Sequence, residues 1–340
     1  DFVDRHMETY LAGLDRSDPE KESLWRVVRA MPYRATIGHY NRGEYDLAVR
    51  YASIVPPDAG EAYADALYLA ARALFQQSLE RGEEGVRTSE AATALHRSAC
   101  EAHERLLAHL RDAGIEEVRR RHAEDAAYQL AYLKVYGIPA GEEGERVGAD
   151  PAAGAAVLDG WEERFGAEGE RYGSVLKLRV VGWGKARDFE RAEAAYRRSE
   201  ALHRAGGLDK KRWDEIGRWL AAEYRDFLQQ IGEDPAREEG RRTAANRIHE
   251  LENRHGQRGI EQDLQSLQRA NRLREWDLLL RSADDFFRNH AATGEQRREN
   301  VEHLLRVHRM VSRARVGQGD LQAAFEAEAA CEALYSEVHG

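Results

Sequence analysis

The sequence predicts an all-α protein, on three observations. Ala, Leu, Glu and Arg dominate, and Pro occurs only seven times in 340 residues, a composition that favours helix. Runs of β-branched residues are short, and the longest, Trp25 to Val28 and Leu178 to Val181, lie inside helical patterns. Apolar residues recur at helical spacing, as in Ile216, Leu220, Phe227 and Ile231, and in Tyr128, Tyr132 and Tyr136. The tyrosine stripe reads as packing of an amphipathic helix rather than as a ligand platform.

The elements follow in order. Phe2 to Leu14 forms an opening helix, and Ser17 or Asp18 caps the next, with Pro19 in its first turn. That second helix runs towards Arg42, with a kink or break expected near Ala30 and Met31 because Pro32 cannot donate a backbone hydrogen bond. Gly43 turns the chain into a partner helix from Glu44 to about Val55, which Pro56 and Pro57 stop. Further pairs are Glu61 to Leu79 with Thr88 to Leu110, and Ile115 to Val135 with Pro151 to Phe165. Between the members of this last pair, residues 137–150 are the most loop-like stretch and are expected to divide one 340-residue array into N- and C-terminal halves. Then come Gly169 to Lys185 with Asp188 to Leu202, and Asp209 to Ile231 with Pro235 to Arg254. Gly259 to Leu273 pairs with Glu275 to His290, and Gln296 to Val316 with Asp320 to Val338. One helical hairpin cannot bury its apolar face alone, so stacking of neighbours would supply the core.

Four segments share one half-repeat: a turn, an acidic residue, a large apolar residue and an amphipathic helix. They are Gly43 to Ala48, Arg187 to Ala192, Arg274 to Leu279 and Gly319 to Ala324. On these residues the chain resembles the tetratricopeptide repeat family, whose helix–turn–helix unit is about 34 residues long. Trp183 falls at the family's aromatic position, and Leu279 stands where the family has a small alanine. Spacing between the matches is irregular, and from Glu61 to Phe165 only the helical periodicity remains. The resemblance implies a right-handed superhelical solenoid of about seven antiparallel helix pairs. It implies a non-catalytic scaffold that binds a protein or peptide in its concave groove.

The register of the half-repeats then sorts residues. Tyr45, Phe189, Trp276 and Leu321 are expected to pack. Tyr33, Ile37, Tyr40 and Asn41 face the groove in the first unit, and Ser174, Lys177, Val181 and Lys185 in the Trp183 unit. Asn271 and Arg272 belong near the same surface, and Arg306, Arg309 and Arg313 line it in the last unit. No acidic residue occurs from His303 to Gly319. Clustered guanidiniums would take a carboxylate or phosphate, so an acidic partner is expected; the same arginines also suit a solvated basic face.

No catalytic motif emerges. His249 and His255 stand six residues apart, on opposite faces of a helix, which excludes a zinc-protease arrangement. His96, Cys100 and His103 share one helical face, but a structural zinc needs four ligands; neither a metal nor a cofactor is expected. The net charge of −10 argues against general affinity for nucleic acid. Two cysteines form no disulfide framework, and no apolar run reaches about 18 residues. A cytoplasmic, bacterial protein fits this composition, although a periplasmic one would look the same. The chain begins at Asp1, consistent with a trimmed N-terminus and with an alternative reading as the regulatory or sensor region of a larger signalling protein. The final helix, with Ala324, Phe325, Ala329, Ala330, Ala333, Leu334 and Tyr335, keeps a broad apolar face, suited to a following segment or to self-association.

Overall fold

A computed structural model describes residues 22–79, 88–140, 145–167, 170–231, 237–255 and 260–339. The described chain is all-helical apart from one short β-hairpin, and none of its helices is long and apolar enough to cross a membrane. The predicted opening helix and its cap lie outside the described residues. Contacts divide the chain into two units, residues 1–195 and 196–340.

In the first unit, α1 (Glu22–Asn41) and α2 (Tyr45–Ile54) form a hairpin, followed by a 3-10 turn at Pro57–Ala59. Helix α1 runs through Pro32 without the expected break. Its packing on α2 and on α3 (Glu61–Leu79) holds the helix together where the missing N–H alone would end it. Helix α4 (Ser89–Asp112) starts at Thr88, whose hydroxyl accepts the Ala91 N–H. Helix α5 (Arg120–Tyr136) starts later than Ile115, because residues 116–119 remain a turn. The stretch 137–150, predicted as a dividing loop, instead lies inside the first unit. There β1 (Ile138–Ala140) pairs antiparallel with β2 (Glu145–Val147) and packs on α3 and α4. Gly160, left-handed at φ 69°, splits the predicted helix from Pro151 to Phe165 into α6 (Pro151–Val157) and α7 (Trp161–Phe165). Helix α8 (Glu170–Lys185) packs on α5 and α6, and the boundary between the units falls within α9 (Phe189–Arg204).

The second unit continues with α10 (Lys210–Ile231), α11 (Glu238–His255), α12 (Ile260–Arg272) and α13 (Trp276–His290). A capping box at Thr293 then starts α14 (Gly294–Glu299), and Asn300 separates it from α15 (Val301–Gly317). The last element is α16 (Leu321–His339). Leu264, Leu267, Leu279, Phe286, Leu304, Val307 and Leu334 form a continuous apolar cluster here, so burial of these side chains supplies the main stabilising term.

All four half-repeats close in the same way. Gly43, Arg187, Arg274 and Gly319 have φ of 75°, 64°, 54° and 79°. Each donates its N–H three residues back, and the following acidic residue donates five residues back: Glu44 to His39, Asp188 to Trp183, Glu275 to Ala270 and Asp320 to Arg315. This is a Schellman closure, which satisfies helix-end carbonyls that would otherwise lack a partner. Gly114–Ile115 and Gly206–Gly207 repeat it. The fourth residue of each following helix is buried: Ala48, Ala192, Leu279 and Ala324. Within the second unit, a Cβ at Gly317 would stand 2.6 Å from the Trp276 indole, so glycine there lets α13 approach α15. Leu321, expected to pack, is 68 % exposed instead. Val181, expected in the groove, is fully buried in the core.

Candidate functional site

In the first unit, α1 touches α3, α3 touches α5, and α5 touches α8. These alternate helices bring a linked set of aromatic and charged side chains together. The Tyr33 hydroxyl donates to Asp65 Oδ2 at 3.3 Å. Arg119 reaches Glu61 at 3.0 Å and Asp65 at 3.5 Å. His122 stacks on Tyr68, with ring centroids 3.9 Å apart. Tyr68 donates to Asp125 Oδ2 at 2.6 Å, and Arg171 holds the other oxygen of that carboxylate at 2.6 Å. The Arg72 guanidinium lies between two rings, 5.5 Å from the centre of Tyr40 and 5.4 Å from that of Tyr68. Arg171 covers Tyr128 at 5.4 Å. Such cation–π contacts stabilise by about 0.5–1 kcal/mol each where exposed and fix the rings in place.

Tyr68 and Asp125 are buried at the base of this set, while Tyr33, Tyr40, Asp65, Arg72, His122, Tyr128 and Arg171 are half-buried. Burial, then the hydrogen bond to Asp125, pushes the Tyr68 hydroxyl up to about 12. Burial likewise raises Tyr40 and lowers His122, so the imidazole is held towards its neutral form. Arg72 Nε is enclosed without a hydrogen-bond partner, as is His122 Nδ1. The tyrosine stripe of α5 belongs to the same region. Tyr128, Tyr132 and Tyr136 are half-buried, and Tyr132 packs edge-on to Phe75 and tilts against Tyr136. The stripe therefore combines packing with open ring surface.

Of the residues the register selects, the structure places Tyr33 and Tyr40 within this set. Asn41 is exposed at the end of α1. Lys177 is half-buried on α8, Lys185 is exposed near its end, and both already have partners. In the second unit, Arg306, Arg309 and Arg313 form an exposed stripe on α15 that continues to Val316, and Arg309 approaches Cys331 of α16. Arg272 is exposed at the end of α12, and the half-buried Asn271 has an enclosed carbonyl oxygen with no hydrogen-bond partner. Sequence reasoning missed Asp65, Tyr68, Arg72, His122, Asp125 and Arg171. They lie in the stretch without repeat motifs or beyond it, and nothing local marks them as one surface.

The shared face of His96, Cys100 and His103 resolves into two environments. His96 and Cys100, with Sγ 3.7 Å from Nε2, line an open depression with Glu104, Lys134 and Asp150. Gly148 passes so close to the His96 ring that any Cβ would overlap it. His103 is fully buried against the Ala99 carbonyl at 2.7 Å and Gln129 at 3.0 Å. Burial pushes the Cys100 thiol up to about 11, so it is protonated at neutral pH and is a poor nucleophile.

His249 and His255 also point to separate surroundings. His255 is buried in a chain of hydrogen bonds: Arg254 donates to the Tyr196 hydroxyl at 3.4 Å, and Tyr196 to His255 Nε2 at 2.6 Å. His255 Nδ1 in turn meets Asp214 Oδ1 at 3.0 Å. Burial lowers the His255 pKa despite Asp214, which is consistent with a neutral ring protonated on Nδ1. Compared with known proteins, the chain matches no family model, and no curated protein matches it significantly.

Proposed function

We propose that the chain is a non-catalytic interaction protein of the tetratricopeptide-repeat type, a helical solenoid that holds an extended segment of a protein or peptide partner. The binding face is the aromatic and arginine surface of α1, α3, α5 and α8. One observation carries this reading: half-buried rings and guanidiniums are linked from helix to helix across four elements, instead of forming either a sealed apolar core or a simple solvated charge pattern. Four identical helix closures, and contacts between alternate helices, support the repeat architecture.

The chemistry suits a peptide. Tyrosine faces offer area at little entropic cost, and the half-buried Arg72 guanidinium brings a positive charge suited to an acidic side chain. The raised Tyr68 and Cys100 pKa values leave neither group as a nucleophile at neutral pH. Peptide selection from a random display library on the full chain tests the proposal. Acidic sequences should be enriched, and the Tyr40→Ala, Arg72→Ala double variant should weaken their binding by about tenfold or more. Circular dichroism confirms that the variant is folded. A library that enriches no sequence, or a folded variant with unchanged affinity, refutes it.

A further inference from the structure

In the second unit, side chains of α10, α11, α12 and α13 line a cavity of about 390 Å³. That volume is in the range of small-molecule sites. Its lining is unusually charged for a space between helices, where unpaired polar groups cost stability. Arg225 and Arg269 converge on a single oxygen, Glu252 Oε1, at 2.9 Å and 3.4 Å. Arg218 lies two turns before Arg225 on the same side of α10 and makes no ion pair among the described residues. Glu252 therefore serves two guanidiniums, and Arg218 beside them keeps a positive charge with no ion-pair partner among the described residues.

The acids of the other wall are already engaged. Asp285 accepts from Asn253 at 3.1 Å and Arg288 at 3.0 Å, and Asp263 meets His290 Nε2 at 2.7 Å. His249 Nε2 accepts from Asn253 at 3.0 Å, so Nδ1–H donates to Ser282 Oγ at 3.1 Å. Burial lowers the His249 pKa and favours this neutral ring. The Ser282 hydroxyl keeps its own proton for another acceptor.

We propose that this cavity binds a small organic anion carrying two negative charges, a phosphomonoester or a dicarboxylate. Both present several oxygens in the geometry that guanidinium forks recognise, enough to meet Arg218 and the pair of Arg225 and Arg269 together. The site uses no residue of the peptide-binding face, so either proposal can fail without the other.

Titration calorimetry on the full chain at low salt, with phenyl phosphate, succinate and inorganic phosphate as probes, tests it. Saturable binding of at least one probe is expected, weakened by about tenfold or more in Arg218→Gln and in Arg269→Gln. Preference for phenyl phosphate or for succinate identifies which anion the site takes. Arg218 is exposed, so Arg218→Gln remains informative if Arg269→Gln fails to fold. The proposal is overturned if no probe binds up to roughly 10 mM, or if folded Arg218→Gln binds every probe as tightly as the parent.

Discussion

Replacing Gly217 by alanine should destabilise the protein, although helix propensity argues the opposite. Gly217 lies inside α10, where Ala is favoured over Gly by about 0.8–1 kcal/mol. A Cβ at this position would come within 2.5 Å of His255 Cγ and Nε2. The ring has little room to yield. It is bonded to Tyr196 and Asp214 and stands edge-on to Trp213, with centroids 4.3 Å apart. Overpacking costs about 1–3 kcal/mol, and displacing the imidazole loses two buried hydrogen bonds at about 1 kcal/mol each. Set against the propensity gain, these terms leave a net loss of about 2–4 kcal/mol. Urea unfolding followed by tryptophan fluorescence should show a lower midpoint at unchanged slope. The control is the same substitution in a His255→Ala background. There the obstruction is absent, and alanine should stabilise by about 0.5–1 kcal/mol. Equal effects in both backgrounds would refute the assignment of His255 as the obstruction.

Two other outcomes follow. Arg274→Gly should stabilise the chain by about 0.5 kcal/mol, because glycine adopts the left-handed turn without the Cβ penalty but loses part of that gain through unfolded-state entropy; a lower thermal midpoint would contradict this. His103, His122, His249, His255 and His308 are all held below their ordinary pKa by burial. Between those lowered values and the unfolded value of about 6.5 the unfolded chain binds more protons, so stability is retained above that pH and falls as acid is added, by at most about 1.4 kcal/mol per pH unit for each histidine. Thermal midpoints that stay level or rise from pH 7.5 to pH 5 would exclude this contribution.

The turns were legible because a Schellman closure is written within six residues. Gly43, Arg187, Arg274 and Gly319 each announce one, and the buried small or apolar residue follows at fixed spacing. Leu321 shows the limit of that reasoning. The motif specifies the turn before α16, whereas burial of Leu321 depends on what lies opposite, and the side chain is 68 % exposed. Pro32 shows the converse, since packing on α2 and α3 sustains a helix that local rules would end. The candidate face was only half visible. Tyr33 and Tyr40 followed from the repeat register, but Tyr68 meets Asp125 across 57 residues that carry no repeat motif. No spacing rule encodes a contact between helices whose register is set by packing.

The six helix closures also bear on how the chain acquires its shape. Each is made from backbone groups and spans six residues at most. A hairpin can therefore fix its turn before any neighbouring hairpin exists, at the small entropic cost of a short loop. Contacts between sequential helices then extend order locally from such turns, the kind of short-range contact that favours fast folding.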